Sequence, residues 1–337
     1  MREEMSQRWN AEEILNLVRA FQPACILTAA AELDVFSILC ERPMTAESLA
    51  GKLNSDIRAT TILLDALAAL ELLVKKGSAY RVPAEVAEIL SEAGPRNILP
   101  TVRHLGNCLR RWTQLARVTQ TGKPADRHPS IRGEAADLAA FIGAMDNYSA
   151  PLVCQVLDCL GPLTFRHLLD IGGGPGTWTI AFLCAAAGAR ATLFDLPEVI
   201  PLARQRIADA GLSDRVNLVA GDYNTDDLPA SADFAWLSSV AHQNSRRQNR
   251  ALFAKIYAAL QVNGVLVIRD VVMDESRTQP TTGALFAVNM LVGTEAGGTY
   301  TFDEFQKDLC NAGFSKIALI HHDGYMHYLM QAVKPRI

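Results

Sequence analysis

The sequence predicts an α/β protein whose C-terminal half forms a mostly parallel sheet and whose N-terminal half is mainly helical. From Arg166 onward the pattern alternates between strand and helix, which implies a parallel sheet. Before that point apolar residues recur at helical spacing, with one hairpin pattern at Val74–Val82. We therefore expect two domains, a helical one over residues 1–160 and an α/β one over residues 161–337.

The N-terminal half contains a winged-helix pattern of successive helices followed by the hairpin. One helix is predicted over Ala24–Cys40, and Thr45 and either Ser55 or Asp56 are candidate N-caps of the next two. A DNA-binding winged helix needs a basic recognition helix, whereas the last of these helices contains a single basic residue, Arg58. We expect this domain to provide packing and a dimer surface rather than a DNA contact.

The first predicted strand of the α/β domain, Leu168–Ile171, runs into a glycine-rich turn that opens a helix over Trp178–Ala187. Glycine has no Cβ, so such a turn lets the backbone approach a ligand closely, and the helix start presents unpaired N–H groups. Nucleotide-like cofactors bind parallel α/β sheets at this place, the carboxyl end of the first strand. A purely structural turn is the alternative.

Two features of the turn favour S-adenosylmethionine over a dinucleotide. The dinucleotide fingerprint requires glycine at its first, third and sixth positions. Counted from Gly172, the third position is Gly174 but the sixth is Thr177, so the fingerprint is not matched. Asp170, just before the turn, would repel a pyrophosphate and attract a cation, and S-adenosylmethionine carries an ammonium and a sulfonium group. We therefore predict that Asp170, Gly172 and Gly174 bind this cofactor, which disfavours an NAD-dependent dehydrogenase.

Further acidic residues follow the next two predicted strands. Asp195, followed by Leu196, ends the second strand, where a carboxylate can accept hydrogen bonds from both ribose hydroxyls. Gly221, Asp222 and Tyr223 follow the third strand, where the carboxylate can accept from the adenine amino group and the ring can cover the base. A turn or helix-cap carboxylate is the alternative for Asp222.

Two residues after the fourth and fifth strands are candidates for chemistry. His242 lies past the strand that ends at Ser238, on the same edge as the proposed cofactor site, and an imidazole can accept a proton at neutral pH. Asp270 ends the fifth strand and can orient the imidazole or a substrate hydroxyl. An ordinary polar loop residue is the alternative for His242, and a partner for Arg269 is the alternative for Asp270.

Composition and charge narrow the class of protein. The chain has 337 residues, 49% hydrophobic and 20% charged, with a net charge of −4, which argues against a nucleic-acid or membrane-surface protein. Residues 1–20 contain no apolar segment after a basic start, so we expect no signal peptide and a cytoplasmic protein. The seven cysteines are odd in number and form no CxxC pair, so we expect buried, reduced thiols.

With these motifs in place, the sequence resembles the two-domain small-molecule O-methyltransferases of bacteria and plants, the group of caffeate and hydroxyindole O-methyltransferases. The resemblance runs from about Ala20 to Lys334. Five motifs carry it: Leu-Asp-Ile-Gly-Gly-Gly-Pro-Gly, Phe-Asp-Leu-Pro, Gly-Asp-Tyr, a histidine after the fourth strand, and Gly-Gly-Thr-Tyr-Thr at 297–301. The terminal hairpin predicted over Lys316–His321 and Tyr325–Val333 also suits the methyltransferase variant of the fold.

The resemblance implies a class I methyltransferase sheet, an S-adenosylmethionine cofactor and a homodimer formed by the N-terminal domain, whose helices can line the partner's pocket. It implies that His242 is the catalytic base and that Asp270 takes the place of a glutamate that positions the base. The positions that match cofactor contacts of the family are Gly172, Gly174, Asp195, Asp222, Tyr223 and Ser238.

Two departures from the family leave the methylated atom open. Gln243 stands where the family has an aspartate, and Thr299 and Tyr300 stand where it has a second acid. The acceptor is then a more acidic hydroxyl, or its nucleophile is carbon or nitrogen.

The acceptor pocket is expected between the domains, with an apolar lining that suits a flat aromatic or polyketide-like molecule. Two methionines resemble family positions that flank the acceptor, and plain core packing is the alternative for each wall residue. The candidate walls are Trp112, Phe141, Met145, Tyr148, Phe286 and Met290.

Two rival functions remain. A metal-assisted C-methyltransferase would draw its ligands from scattered acids and histidines, none of which has a recognisable metal spacing, so no metal is predicted. A regulator that binds S-adenosylmethionine and DNA without catalysis is disfavoured by the weakly basic recognition helix. The scattered metal-ligand candidates are His242, Asp270, Asp274, His321, His322, Asp323 and His327.

Overall fold

A computed structural model describes residues 9–322 and 327–336 of the chain. Two compact units form: one contains the residues up to Leu109 together with His128–Ala144, and the other contains Arg110–Arg127 and the residues from Met145 onward. Domain boundaries at residues 160 and 161 stay a prediction.

Nine helices and three short strands precede residue 150 in the described part of the chain. Thr45 accepts a hydrogen bond from Ser48 N at 3.2 Å, and Asp56 accepts one from Ala59 N at 2.7 Å, so Thr45 and Asp56 are the N-caps of their helices. The elements are α1 (Ala11–Arg19), α2 (Phe21–Glu32), α3 (Val35–Glu41), β1 (Met44–Thr45), α4 (Ala46–Leu53), α5 (Ile57–Ala69), β2 (Val74–Lys76), β3 (Ala79–Arg81), α6 (Ala84–Leu90), α7 (Leu99–Trp112), α8 (Leu115–Thr121) and α9 (Glu134–Ser149).

The prediction of one unbroken helix over Ala24–Cys40 is wrong. Helix α2 ends and α3 begins around Asp34, whose left-handed φ of 59° interrupts the helical hydrogen bonds. The buried Arg103 holds the break, because its Nε donates to Ala31 O at 3.0 Å and its Nη2 donates to Asp34 Oδ1 at 3.0 Å. The spacing of apolar residues predicts one helix here, but contacts with Arg103, which is distant along the chain, stabilise a break between two helices.

The first helices leave apolar side chains outside the core of their unit. Leu17 and Val18 on α1 are 63% and 64% exposed, whereas Phe36 and Leu64 are fully buried in the core. By length and composition alone, Ala11–Glu32 would suffice to cross a membrane, and 11% of its most apolar window is buried.

The second unit contains the predicted alternation of strands and helices. The strand predicted to begin at Tyr325 is described from Tyr328, since Tyr325 lies outside the described residues. The elements are α10 (Val153–Leu160), β4 (His167–Ile171), α11 (Thr177–Ala185), β5 (Arg190–Asp195), α12 (Ile200–Asp209), β6 (Val216–Ala220), β7 (Ala232–Ser238), α13 (Arg246–Ala259), β8 (Leu260–Asp270), β9 (Val272–Met273), α14 (Thr281–Gly293), β10 (Tyr300–Thr301), α15 (Phe302–Asn311), β11 (Ser315–His321) and β12 (Tyr328–Val333).

Seven strands form the main sheet in the order β11-β12-β8-β7-β4-β5-β6. Strands β8, β7, β4, β5 and β6 are parallel, and β12 runs antiparallel to both of its neighbours. This confirms the mostly parallel sheet closed by an antiparallel hairpin. The order of winding reverses between β4 and β7, and open α/β sheets bind ligands at the carboxyl ends of strands beside such a reversal.

Each face of the sheet is covered by its own apolar core. Helices α13 and α15 pack on one face through residues such as Phe253 and Phe305. Helices α11 and α12 pack on the other face. There Phe182 is fully buried among aromatic rings, with centroids 5.4 Å from Phe234 and 5.0 Å from Trp236.

The expectation of buried thiols is wrong for most of the cysteines. All seven are free, Cys108 is buried and Cys159 is partly buried. The other five are exposed, because each lies on a helix position that does not face the core of its unit. The exposed cysteines are Cys25, Cys40, Cys154, Cys184 and Cys310.

We expect Phe182→Ala to lower the free energy of unfolding by about 3–5 kcal/mol, because it leaves a cavity inside a packed aromatic cluster. The free energy of unfolding can be measured by urea denaturation. Val262→Ala, at a side chain that is 53% exposed, is the control and should change it by less than about 0.5 kcal/mol. Equal effects of the two variants would contradict this description of the core.

Candidate active site

The glycine turn after β4 adopts a backbone that other residues rarely take. Gly172, Gly174 and Gly176 have φ of 66°, 55° and 82°. A Cβ at Gly172 would lie 2.8 Å from Val240 Cγ2, so the turn packs against the loop that follows β7. A Cβ at Gly174 would meet no atom within 4 Å. Open space therefore lies beside the turn, as a bound cofactor requires.

The carboxylate of Asp195 faces this turn. Its Oδ2 accepts a hydrogen bond from Gly174 N, and its Oδ1 accepts one from Leu196 N, both at 2.7 Å. Burial raises the pKa of Asp195, and the two backbone N–H groups counteract this effect. Each carboxylate oxygen retains a second lone pair, so Asp195 is able to accept hydrogen bonds from two ribose hydroxyls.

Asp170 lies beneath the turn and is 1% exposed. Its Oδ2 accepts a hydrogen bond at 2.6 Å from Oγ1 of Thr179, which lies in the first turn of α11. Burial raises the pKa of Asp170 to about 7, well above the usual range of an aspartic acid, and the hydrogen bond from Thr179 counteracts part of this effect. A cation bound nearby would stabilise the charged form and lower this pKa.

The loop after β6 presents the residues expected to hold adenine. Asp222 Oδ1 accepts a hydrogen bond from Asn224 N at 2.8 Å, so the carboxylate also stabilises its own turn. Gly221 touches the ring of Phe194, because a Cβ there would lie 2.5 Å from Phe194 Cζ. Burial, together with the carboxylates of Asp222 and Asp195, raises the pKa of Tyr223 to about 12. The tyrosine is thus neutral and lies within the field of both acids.

His242 and Asp270 form a buried pair. His242 lies in the short turn after β7 and Asp270 ends β8; they are 8% and 3% exposed. His242 Nδ1 lies 2.8 Å from Asp270 Oδ1, which also accepts from Val271 N at 2.7 Å. In the tautomer whose Nδ1–H donates to this carboxylate, Nε2 is left as the proton acceptor.

The Ser238 hydroxyl accepts a hydrogen bond from a residue of the neighbouring strand β8. Arg269 Nη1 donates to Ser238 Oγ at 2.9 Å and to Ser239 Oγ at 3.1 Å. Arg269 therefore reaches toward β7, while the next residue, Asp270, bonds to His242. The interpretation of Asp270 as the group that orients the imidazole matches this geometry.

Backbone contacts stand at the positions where the sequence departs from the family. Gly298 N donates to His242 O at 2.9 Å, and the Tyr300 hydroxyl donates to Asn244 O. Gln243 is exposed and its side chain donates to Ser239 O. Among the residues that the structure describes, His242 thus forms hydrogen bonds to one carboxylate, that of Asp270, and its backbone oxygen accepts one from Gly298 N.

Helix α14 supplies candidate walls of the acceptor pocket. The ring of Phe286 meets His242 edge-on, with centroids 4.7 Å apart and planes at 85°. Met290 is 7% exposed, and Trp112 Nε1 donates to Asn289 Oδ1 at 2.9 Å. The structure thus brings Phe286 directly against the proposed base.

The other candidate walls lie on or near α9. Met145 is partly buried and Tyr148 is 43% exposed. Phe141 belongs to the first unit, where its ring lies 5.2 Å from that of His104. The role of these residues as pocket walls stays a prediction.

One group of residues beside the cofactor site was missed by the sequence analysis. Thr177 Oγ1 donates to Asp146 Oδ1 at 2.5 Å, and Arg206 binds both oxygens of Asp146 at 2.8 and 2.7 Å. Thr177 is the residue that broke the dinucleotide fingerprint, and it fixes the start of α11. Asp146 lies 31 residues from Thr177 and 60 residues from Arg206 along the chain, so no local spacing could indicate the group.

Within residues 9–322 and 327–336, no three His, Cys, Asp or Glu side chains lie close enough together to hold a metal ion. Asp323, one of the candidate ligands, lies outside the described residues.

Comparison with known proteins identifies the family. The O-methyltransferase domain matches residues 128–315, more than half of the chain, and the O-methyltransferase dimerisation domain matches residues 15–92. The chain belongs to the O-methyltransferase family. It is therefore an S-adenosylmethionine-dependent methyltransferase, and its dimerisation domain supports homodimer formation.

Three proteins illustrate what this O-methyltransferase is similar to. It is 30% identical over 311 residues to the tetracenomycin polyketide synthesis 8-O-methyl transferase TcmO of Streptomyces glaucescens, covering 90% of this chain and 91% of that protein. It is 29% identical over 338 residues to the N,N-dimethyltransferase OxyT of Streptomyces rimosus, covering 96% and 97%. The crystal structure of human N-acetylserotonin methyltransferase with S-adenosylmethionine superposes with a TM-score of 0.82 at 25% identity, covering 98% and 99%.

The raised pKa of Asp170 predicts that cofactor binding is linked to proton release. If the cationic cofactor binds only the ionised acid, S-adenosylmethionine should bind roughly 10-fold more tightly at pH 7.5 than at pH 6, since a pKa of about 7 leaves most of the acid protonated at the lower pH. Calorimetry at both pH values measures this ratio.

Two controls accompany that measurement. Adenosine, which has no cationic group, should bind with much less pH dependence. Asp170→Asn should weaken S-adenosylmethionine binding and abolish most of the pH dependence. An unchanged pH dependence in Asp170→Asn would contradict the assignment.

Proposed function

We propose that this enzyme methylates a hydroxyl group of a small aromatic or polyketide-like acceptor, with His242 as the general base. The observation that carries the proposal is the buried His242–Asp270 pair on the edge of the sheet where the glycine turn lies. The name of the relative TcmO, a polyketide 8-O-methyl transferase, supports this class of acceptor. So does the aromatic ring of Phe286 against the base.

Different residues of this chain contact different parts of the cofactor in this proposal. We infer that Asp195 holds the ribose, that Asp222 and Tyr223 hold the adenine, and that Asp170 and the glycine turn face the charged methionine part. The space beside Gly174 and the available lone pairs of Asp195 fit such a ligand. When bound, S-adenosylmethionine supplies an electrophilic methyl group for direct displacement by the acceptor.

His242 activates the acceptor in this scheme. Its Nε2 takes the hydroxyl proton, and Asp270 stabilises the imidazolium through the bond to Nδ1–H. Phe286 against the ring and the low exposure of His242 restrict water at the base. Much of the catalytic effect then comes from holding the acceptor oxygen in line, which supplies several kcal/mol in well-oriented reactions.

N-methylation is the second candidate. OxyT, 29% identical, is an N,N-dimethyltransferase. Asn244 and Tyr300 form a backbone contact where a second acid would strengthen the base, and a neutral amine needs less help from a base than a hydroxyl does. A panel of phenols, anilines and alkylamines with labelled S-adenosylmethionine, followed by mass spectrometry of the products, distinguishes the two.

We further propose a cytoplasmic homodimer that binds neither nucleic acid nor membranes. The exposed apolar side chains of the amphipathic α1 and the dimerisation-domain match support association of two copies. Helix α5 carries only one basic residue, Arg58, which disfavours DNA. The net charge of −4 disfavours anionic surfaces in general.

His242→Ala should lower turnover by about 10²–10⁴-fold, because it removes the general base. The affinity for S-adenosylhomocysteine should stay within about 2-fold of the unmodified protein. Steady-state kinetics and calorimetry measure the two effects. His128→Ala, at an exposed loop histidine, is the matched control, and near-normal turnover of His242→Ala would exclude the proposed base.

Asp195→Ala should weaken S-adenosylhomocysteine binding by about 10–100-fold, since hydrogen bonds to charged groups contribute about 1.5–3 kcal/mol each. Calorimetry measures the change. The affinity of Asp195→Asn for S-adenosylhomocysteine should lie between those of the unmodified protein and Asp195→Ala. S-adenosylhomocysteine without its ribose hydroxyls provides the control, because it should bind the unmodified protein and Asp195→Ala with nearly the same affinity. Unchanged affinity for the natural ligand in Asp195→Ala would refute the ribose contact.

A further inference from the structure

Lys255 holds the loop that follows β6. It lies on α13 and is partly buried. Its Nζ donates to three backbone carbonyls, Tyr223 O at 3.0 Å, Asn224 O at 3.2 Å and Asp226 O at 2.8 Å. An ammonium group has three N–H donors, so all the donors of this lysine are used in hydrogen bonds to one loop.

The same loop is ordered from within. Asp222 N donates to Asp226 Oδ2 at 2.8 Å, and Asp222 O accepts from Thr225 N at 3.0 Å and from Asp226 N at 2.7 Å. These bonds turn the chain tightly, so the next carbonyls converge on one side. Converging carbonyl dipoles repel one another unless a cation lies among them. Lys255 supplies that cation.

The anchor of the lysine is rigid. Its neighbours on α13, Leu252 and Ile256, are 1% and 0% exposed in the core beneath the sheet. On the other side of the loop, Gly221 is pressed against Phe194, and its N–H donates to Asp195 O at 2.9 Å. The loop is thus clamped between α13 and the end of β5.

We propose that Lys255 is a positioning residue for the cofactor: through three carbonyls it fixes Asp222 and Tyr223 in the geometry that recognises the adenine amino group. This inference rests on the proposed adenine contact of Asp222. Lys255 does not touch the cofactor itself. It contributes by preorganisation, because a loop that is already ordered loses less conformational freedom when the ligand binds.

The readout that separates positioning from general stability is base discrimination. S-inosylhomocysteine, which carries a keto oxygen in place of the adenine amino group, should bind the unmodified protein at least 10-fold more weakly than S-adenosylhomocysteine, since it faces Asp222 with an acceptor. In Lys255→Met the affinity for S-adenosylhomocysteine should fall about 10-fold and that for S-inosylhomocysteine less than 3-fold. The discrimination would therefore largely disappear.

Lys255→Arg should retain part of the discrimination, because a guanidinium donates to carbonyls but cannot match all three positions. Arg247→Met, which removes an exposed positive charge from the same helix, is the matched control and should leave both affinities unchanged. Lys255→Gln replaces Lys255→Met if the latter does not fold by circular dichroism. Amide hydrogen exchange of residues 221–226 should be faster in Lys255→Met, or in Lys255→Gln where it replaces Lys255→Met, than in the unmodified protein.

Two results would overturn the proposal, and they differ. If Lys255→Met, or its replacement, loses affinity for both ligands equally and keeps the discrimination, the lysine only stabilises the fold. If the unmodified protein does not distinguish the two ligands, the adenine contact of Asp222 is wrong, and the role of Lys255 in recognition falls with it. Neither result bears on His242 as the base, so failure of this inference is distinguishable from failure of the proposed reaction.

Discussion

The convergence of carboxylates on one edge of a parallel sheet is the constraint on which this structure depends. Because β4, β5 and β8 all run the same way, Asp170, Asp195 and Asp270 end at the same side of the molecule. Carboxylates in such surroundings are stabilised only by dedicated donors. Asp170 accepts from a hydroxyl, Asp195 accepts from two backbone N–H groups, and Asp270 pairs with an imidazole and accepts from the Val271 N–H. Each carboxylate therefore has a different set of hydrogen-bond donors.

Helix α13 connects the two halves of the site. It begins directly after the histidine loop, where Ser245 and Gln248 form a capping box, and its Lys255 braces the loop after β6. A network of ion pairs fixes the same helix to α15, because both Arg246 and Arg250 bind the buried Asp308. The proposed base and the proposed adenine site are therefore positioned by one rigid element.

Much of this arrangement could be predicted from the sequence, because in a parallel sheet the last residues of successive strands become neighbours. The positions of Asp195 and His242 at this edge follow from strand order in this way, whereas the choice of His242 as the partner of Asp270 needed the family resemblance as well. The contacts that could not be predicted join residues far apart along the chain. Lys255 with the loop at Tyr223 and Arg103 at the helix break are examples. Local spacing contains no record of such contacts.

The central claim is that the edge of this sheet binds a cationic methyl donor with an imidazole beside it. A crystal structure with S-adenosylhomocysteine tests this most directly. We expect ribose hydroxyls on Asp195, adenine between Asp222 and Tyr223, and the sulfur on the side that His242 Nε2 faces. Ligand bound away from the glycine turn, or a sulfur shielded from His242 by intervening protein, would contradict it.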